Sequence, residues 1–251
     1  MTRFSVTDTP PQYQQLFLLS HMRANTSLIG HILGSHPSIN GYYEMHLSYQ
    51  CKDDLVKQKN LYLKHDLIKD NSQYLFDKIL HNKYLIKPEK LIPQHTKILM
   101  TTRSAETTIK SIVALFKSKT GEHSYASPDN ATRYFTERLN QLAEFCKQYP
   151  KSYHYFDADL IRTTPDLLLK SLQQWLNLST PLSKTYQSFS QTGLQRAGDT
   201  SAMIKQGHII NQPSNYENIF IPPALLQKAE AIHTEVKSLL IKNAIETERM
   251  T

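Results

Sequence analysis

The chain alternates short, mainly apolar runs with longer stretches in which apolar residues recur every three or four positions. The short runs lie at residues 16–19, 97–103 and 153–157. Runs of this length are too short for a helical core, and they suit buried strands of a parallel sheet, whose two faces are both covered. We therefore predict a buried strand at each of these three positions.

The longer stretches are amphipathic and predict helices. Proline at an early position marks the start of three of them, as it often does at a helix N-terminus. Their apolar faces comprise Leu28, Ile29, Ile32 and Leu33; Ile109, Ile112, Val113 and Phe116; Tyr134, Leu142, Phe145 and Cys146; Leu168, Leu172, Trp175 and Leu176; and Leu225, Leu226, Ala229, Ile232, Val236 and Leu239. Strands that alternate with helices predict an α/β fold, a parallel β-sheet flanked by helices on both sides, with ligands beyond the carboxyl ends of the strands.

Two regions carry weaker patterns. Residues 47–91 contain apolar residues that hint at helices, first around 55–68 and again around 75–80, and we expect a helical cover over the substrate side of the fold there. Residues 180–216 are polar and read as a long loop. With 251 residues the chain can bury one large core, so we expect a single domain over 1–251.

Composition narrows the function. The formal net charge of +7 suits an anionic ligand, a nucleic acid or a membrane surface. The charges are spread along the chain, so no nucleic-acid arm is expected. Cys51 and Cys146 lie in no metal-ligand or disulfide pattern. No apolar run approaches the roughly 18 residues of a membrane span, and residues 1–11 lack a signal-peptide pattern. A cytoplasmic protein is expected, and its oligomeric state is open.

The turn after the first strand carries the clearest chemistry. Residues 20–26 are polar, and Thr26 and Ser27 place two hydroxyls at the start of the first helix. The first amides of a helix have no internal partner, so a strand, a polar turn and a helix N-terminus together make an anion site. The planar fork of Arg23 suits phosphate and sulfate oxygens.

The run Arg23-Ala24-Asn25-Thr26-Ser27-Leu28 resembles the 5′-phosphosulfate loop of the sulfotransferases. These enzymes use 3′-phosphoadenosine 5′-phosphosulfate (PAPS), and their loop usually reads Lys or Arg, Ser, Gly, Thr, then Thr or Ser. The chain departs at Ala24 and at Asn25, which replaces the glycine. Asparagine tolerates positive φ better than most residues, so the turn can persist. The resemblance implies a P-loop-like sulfotransferase fold with residues 23–27 against the donor.

Further residues resemble the family's nucleotide site. Arg103 ends the second predicted strand, and Ser111 follows eight residues later. In the sulfotransferases an Arg and a Ser with this spacing bind the 3′-phosphate of the nucleotide, although the usual Asp-Pro after the Arg is absent here. The family also closes a Gly-Asp loop over the nucleotide. Gly198-Asp199 resembles that loop, and its neighbours Arg196 and Lys205 are the candidate contacts to the 3′-phosphate.

Sulfuryl transfer needs a base for the acceptor proton and a cation at the leaving phosphate oxygen. Arg23 suits the leaving phosphate. Glu44 lies 21 residues later, about where carboxylate-using members of the family, such as the protein-tyrosine sulfotransferases, have a glutamate. His46 is two residues on, on the same side of an extended segment, and is the reserve base or a partner of Glu44. The product would be 3′-phosphoadenosine 5′-phosphate (PAP). No metal is expected, and the acceptor (sugar, phenol, lipid or peptide) is open.

Two other functions are compatible with part of the sequence. A nucleotide or small-molecule kinase would ordinarily show a Gly-x-x-x-x-Gly-Lys-Thr/Ser loop and an acidic magnesium ligand near it, and neither is evident. A non-catalytic basic protein that binds an anionic partner is supported only by the net charge, and it predicts salt-dependent binding to generic polyanions.

Overall fold

A six-stranded sheet forms the centre of the fold. The computed structural model describes residues 13–91, 93–194, 196–211 and 215–249. The strands are β1 (Gln14–Leu19), β2 (Ile39–Asn40), β3 (Tyr74–Ile79), β4 (Thr96–Thr102), β5 (His154–Asp157) and β6 (Glu246–Glu248). They lie in the order β2-β3-β1-β4-β5-β6, and every pairing between them is parallel. The parallel sheet predicted from the sequence is confirmed.

The helices cover the sheet on both faces, as predicted. They are α1 (Thr26–Ser35), α2 (Lys52–Tyr62), α3 (Ala105–Lys117), α4 (Pro128–Gln148), α5 (Leu160–Thr163), α6 (Pro165–Leu176) and α7 (Pro223–Asn243), with short 3-10 turns in several loops. No helix in the described part of the chain is both long and apolar enough to cross a membrane.

The alternation of side chains along β1 assigns the helices to the two faces. Phe17 and Leu19 belong to a hydrophobic cluster that includes residues of α3, α4 and α7. Leu16 and Leu18 belong to a second cluster, formed with residues of α1 and α6. Successive side chains of a strand point to opposite faces, so a strand with both faces covered is apolar at every position. This explains the uninterrupted apolar run from which the strand was predicted.

The helical interpretation of residues 75–80 is wrong, because these residues form most of β3, a sheet strand paired with β1. Apolar residues at positions 75, 76, 79 and 80 imitate helical spacing because Asp77 and Lys78 interrupt the run. Both polar side chains are nevertheless buried. The Asp77 carboxylate accepts hydrogen bonds from the Tyr49 hydroxyl at 2.6 Å and the Met45 amide at 2.9 Å. Of the expected helical cover over 47–91, α2 is the α-helix that the structure contains.

The order of the strands determines where a ligand can bind. From β1 the chain crosses through α1 to β2 on one side, and β4 lies on the other side of β1. The carboxyl end of β1 is therefore a topological switch point, where α/β sheets open a crevice for ligands. Loops that follow β3, β4 and β5 reach the same edge of the sheet.

Candidate active site

The turn between β1 and α1 has a backbone shape that sequence reasoning anticipated in part. Asn25 adopts φ 54°, so asparagine does take the left-handed conformation that glycine usually supplies. Arg23 is also left-handed, with φ 66°. The Asn25 side chain donates to the Ala158 carbonyl oxygen at 2.9 Å, which ties the turn to the end of β5. This bond gives a physical reason for asparagine at the position.

The N-terminus of α1 has features that suit an anion. Its first intrahelical hydrogen bond runs from the Ile29 amide to the Asn25 carbonyl at 3.0 Å. No side chain caps the helix, and its first turn contains no acidic residue. The amides that precede Ile29 thus lack a carbonyl partner within the helix, and the helix dipole adds positive potential at the same place.

Arg23 and Arg103 line one cavity beside this helix end. The Arg103 guanidinium donates to the Arg23 carbonyl oxygen at 3.4 Å and pairs with Asp159 at 2.8 Å. His21 holds the two strand ends together: its Nε2 accepts from the Arg103 amide at 3.0 Å, and its Nδ1 is 2.9 Å from the Met22 carbonyl. Burial lowers the pKa of His21 to about 3, so this imidazole is neutral.

Ser111 holds Arg23 in place. The Ser111 hydroxyl accepts from Arg23 Nε at 2.9 Å and from the Tyr216 hydroxyl at 2.9 Å, and its side chain is buried. The structure thus brings Arg23, Arg103 and Ser111 together, and the Ser111 hydroxyl contacts Arg23. A direct contact between Ser111 and the nucleotide stays a prediction.

A first cavity is lined by the turn between β1 and α1 together with Arg103. Its volume is about 490 Å³. Three guanidinium groups line it, from Arg23, Arg103 and Arg162, and the carboxylates in it belong to Asp159 and Asp199. The other residues that line it are Asn25, Thr26, Ser27, Leu28, Thr163, Tyr186, Met203, Ile204, His208, Ile210, Asn211 and Tyr216. A cavity with clustered cations and aromatic side chains suits a nucleotide with more than one anionic group.

A second cavity of about 590 Å³ is lined by residues of the same turn and by Glu44, His46 and His81. Arg23, Thr26, Ser27 and Asp199 line both cavities and so form their common wall. Asp199 completes this wall: its amide donates to the Ser27 hydroxyl at 2.9 Å, and its carboxylate lies 3.5 Å from Arg23. Two ligands, one in each cavity, would therefore meet at Arg23.

Glu44 lines the second cavity and is 6% exposed. Burial raises the pKa of its carboxyl group to about 7, and the positive charges of Lys78, Arg138 and Lys83 oppose that rise. Its Oε1 atom is buried and has no hydrogen-bond partner. A carboxyl group with a pKa near neutrality is well matched to proton transfer at physiological pH.

Two histidines flank the Glu44 carboxylate. Oε1 of Glu44 lies 3.4 Å from Nδ1 of His46 and 3.5 Å from Nε2 of His81. The prediction that His46 lies on the same side as Glu44 is confirmed. Nε2 of His46 is 2.6 Å from the Arg196 carbonyl oxygen, which can only accept, so this nitrogen carries a proton. Burial lowers the pKa of His81 to about 4, so His81 is neutral.

The donor atoms of Glu44, His46 and His81 all lie within 4.8 Å of one another. This spacing is compatible with proton exchange among the three groups and is also short enough for a divalent cation. From the sequence no metal is expected at this site. No sequence pattern associates His81 with Glu44 and His46.

Lys78 and Arg162 are further site residues that sequence reasoning missed. Lys78, at the carboxyl end of β3, is buried, and its Nζ lies 3.3 Å from the Ser27 hydroxyl. Recognition of β3 as a strand would have pointed to Lys78 and His81, because charged residues at a strand's carboxyl end lie at the site edge. Arg162 donates to the Asn25 side chain at 3.0 Å, and a lone arginine in a short helix gives no sequence signal.

Three residues predicted to contact the nucleotide, Arg196, Lys205 and Ala24, do not line the first cavity. Arg196 lines the second cavity, on the Glu44 side, and is absent from the described lining of the first. Lys205 packs its side chain against Gly193, and Ala24 is fully buried behind the turn. Neither Lys205 nor Ala24 lines either cavity. Direct contacts from these three residues to a donor stay predictions.

Comparison with solved structures shows which fold this is. The chain resembles the sulfotransferase domain of the curacin biosynthetic pathway (TM-score 0.60, 16% identity, 90% of this chain and 97% of that one). It similarly resembles the sulfotransferase domain of the Synechococcus PCC 7002 olefin synthase (TM-score 0.60, 15% identity, 90% and 95%). Mouse sulfotransferase SULT7A1, complexed with PAP, is also similar (TM-score 0.51, 13% identity, 90% and 84%). No protein-family model matches the chain, and no curated protein matches it by sequence. The chain has the P-loop-like α/β fold of the sulfotransferases.

Proposed function

We propose that the protein transfers a sulfuryl group from PAPS to a hydroxyl or amine of an acceptor. The observation that carries this proposal is the common wall of the two cavities. One cavity presents arginines, as an anionic nucleotide requires, and the other presents a buried carboxyl group, as a base requires. The likeness to sulfotransferase structures, one of them PAP-bound, supports the proposal through the fold.

In this proposal the donor lies in the first cavity. The 5′-phosphosulfate faces the free amides at the start of α1, together with the hydroxyls of Thr26 and Ser27. Arg103 faces the 3′-phosphate, and Arg162 adds positive charge to the same cavity. The Asp159 carboxylate now paired with Arg103 can yield to a phosphate, because a dianion offers a guanidinium more charge and more acceptor oxygens than a carboxylate does.

The acceptor lies in the second cavity with its nucleophilic oxygen or nitrogen near Glu44. Glu44 removes the acceptor's proton as the new bond to sulfur forms, and the bond between sulfur and the phosphate oxygen breaks. The electron pair of that bond stays on the phosphate of PAP, where Arg23 stabilises the added charge. His46 and His81 flank the Glu44 carboxyl group, and Nδ1 of His46, which carries no proton in the neutral ring, can accept the proton from Glu44 and pass it towards solvent.

Nucleotide preference tests the proposal. In buffer with EDTA, PAP is expected to raise the melting temperature strongly, whereas ATP gives a much smaller shift, and a parallel set with magnesium and no EDTA tests the magnesium complex of ATP. Transfer of labelled sulfate from PAPS to a panel of alcohols, phenols and amines should then be measured in the same buffer. No stabilisation by PAP, or equal stabilisation by ATP with magnesium, would overturn the proposal. If transfer required an added metal, Glu44, His46 and His81 could be metal ligands, and this result would contradict the role of Glu44 as a free base.

A further inference from the structure

The second cavity has an aromatic wall that leads from its rim to Glu44. Consecutive ring centroids are 5.2 Å apart from Phe116 to Tyr125, 5.4 Å from Tyr125 to Tyr134 and 6.0 Å from Tyr134 to His81. His81 in turn lies beside the Glu44 carboxylate. Neighbouring rings in this row are tilted against each other by 71°, 55° and 54°, so the wall presents ring faces and edges against which a ligand with a ring of its own can pack edge to face.

Positive charge surrounds the outer part of this wall. Lys83, Lys119 and Arg196 line the cavity with exposed side chains. Lys83 holds its Nζ 4.9 Å from the centroid of Tyr84, and Lys119 holds its Nζ 4.2 Å from the centroid of Phe116. Such cation–π contacts place the ammonium groups over the rings without neutralising them.

These cations lack carboxylate partners, although carboxylates are near. Within the described ranges, neither Lys83 nor Lys119 lies within 4.0 Å of an acidic side chain. Glu137 lines the same cavity and still makes no ion pair with them. Lys110, on α3 like Phe116, is paired with Glu106 at 2.6 Å. Lys83 and Lys119 therefore present ammonium groups that make no ion pair with a described carboxylate, beside the aromatic wall.

We propose that the acceptor is a ring-bearing alcohol or phenol with a negatively charged group at the end away from the reacting oxygen. This inference rests on the function proposed above. The ring lies along the aromatic wall, the hydroxyl reaches Glu44, and the anionic group meets Lys83 and Lys119. A hydroxyaryl carboxylate and an acidic sugar are two kinds of small molecule with this chemistry.

Matched acid and neutral ligands test the inference by isothermal titration, with and without saturating PAP. One arm compares 4-hydroxyphenylacetate with 4-hydroxyphenylacetamide, and the other compares 4-nitrophenyl β-glucuronide with 4-nitrophenyl β-glucoside. The acid of at least one pair should bind about tenfold more tightly, as expected for two partly screened charge contacts. The arm with the larger preference for the acid shows whether the acceptor is a hydroxyaryl carboxylate or an acidic sugar.

Substitution of Lys83 and Lys119 tests whether these two cations cause the preference for the acid ligand. In the double variant Lys83→Gln/Lys119→Gln the acid and neutral ligands should bind within about twofold of each other, because the charge contacts are gone. Lys117→Gln is the matched control: Lys117 is the exposed last residue of α3, two positions before Lys119, and does not line this cavity, so the preference should stay.

Three results would overturn the inference: equal binding of acid and neutral ligand in both arms, an acid preference that survives the double variant, or a preference lost equally in Lys117→Gln. Its failure is distinguishable from failure of the proposed function. Strong PAP binding with no acid preference removes this inference alone. An acid preference in protein that does not bind PAP removes the sulfotransferase assignment.

Discussion

Glu44 is the residue that most directly indicates catalysis, because burial disfavours the ionised form of its carboxyl group. It is nearly buried, two histidines face it, and its pKa is raised to about 7. A carboxylate in water would be ionised throughout the physiological range and would be too weak a base to take a proton efficiently. Burial makes it a stronger base and places its protonation change near neutral pH.

The pH dependence of turnover follows from this pKa. The base must be ionised, and the ionised fraction falls about tenfold for each pH unit below 7. We therefore expect kcat to decline on the acidic side with an apparent pKa near 7. Glu44→Gln should cut kcat by about 10²-fold or more, remove this acidic limb and leave PAP binding nearly unchanged. An unchanged profile in this variant would transfer the role to His46 or His81.

Arg103 is a residue proposed to bind the 3′-phosphate of the nucleotide. Arg103→Ala should weaken PAP binding by about tenfold or more, because a charge-assisted contact to a phosphate is lost, with a smaller effect on kcat at saturating donor. Arg133→Ala is the control, since Arg133 is exposed on α4 and donates to its neighbour Asn130. Titration calorimetry and steady-state rates would check both. A loss of kcat alone in Arg103→Ala would contradict contact with the 3′-phosphate.

At the scale of elements, the segment that carries Glu44 is held by its close approach to β3. Gly41, just after β2, has φ +87°, and a Cβ atom added there would lie 2.3 Å from the backbone oxygen of Phe76. The Glu44 amide donates to the Ala197 carbonyl at 3.4 Å, so the same segment also contacts the loop over the site. The position of the base thus depends on backbone packing three residues away.

A pair of glycine substitutions separates packing from backbone strain. Gly41→Ala and Gly121→Ala impose similar strain, because Gly121 has φ +85°, but Gly121 has no atom within 4 Å of an added Cβ. Gly121→Ala should cost about 1 kcal/mol of unfolding free energy. Gly41→Ala should cost about 1–3 kcal/mol more and should also lower kcat, because the β-carbon forces the segment away from β3. Urea unfolding measures both, and equal costs would show that the close approach is absent in solution.

β3 shows where sequence reasoning failed among the elements. Its apolar positions imitate a helix because two polar residues interrupt the run, and their burial becomes acceptable only through partners far along the chain. Tyr49 and Met45 satisfy Asp77, and Ser27 contacts Lys78. A local pattern cannot reveal partners that only the folded chain supplies, so hydrophobic spacing favoured the wrong element here.

For the whole molecule, the two main hydrophobic clusters rest on opposite faces of one sheet and share its strands. Because Phe17 and Leu18 are adjacent residues of β1 but belong to different clusters, neither cluster can lose β1 without disturbing the other. The single domain over 1–251 stays a prediction from the length of the chain, and the shared strand leads us to expect that both clusters unfold together.

Equilibrium unfolding tests that domain assignment. The chain has one tryptophan, Trp175, which packs against the cluster formed with α1 and α6. Its fluorescence therefore reports one face, while far-ultraviolet circular dichroism reports helices on both faces. The two signals should give the same midpoint in urea, as expected for a cooperative transition. Separate midpoints would mean that the two faces unfold independently.

The sequence by itself determined the α/β class, three of the strands and most of the helices, because buried parallel strands and amphipathic helices leave local periodic patterns. It also indicated the turn at Arg23, the partnership of Arg103 with that turn, and Glu44 beside His46. Only the tertiary structure shows that β3 lies next to β1 and that Lys78, His81 and Arg162 lie at the site. It also shows that Arg196 lines the second cavity, together with Glu44. Those placements depend on which strand ends meet at one edge of the sheet, and contacts between residues far apart in the chain leave no periodicity in the sequence.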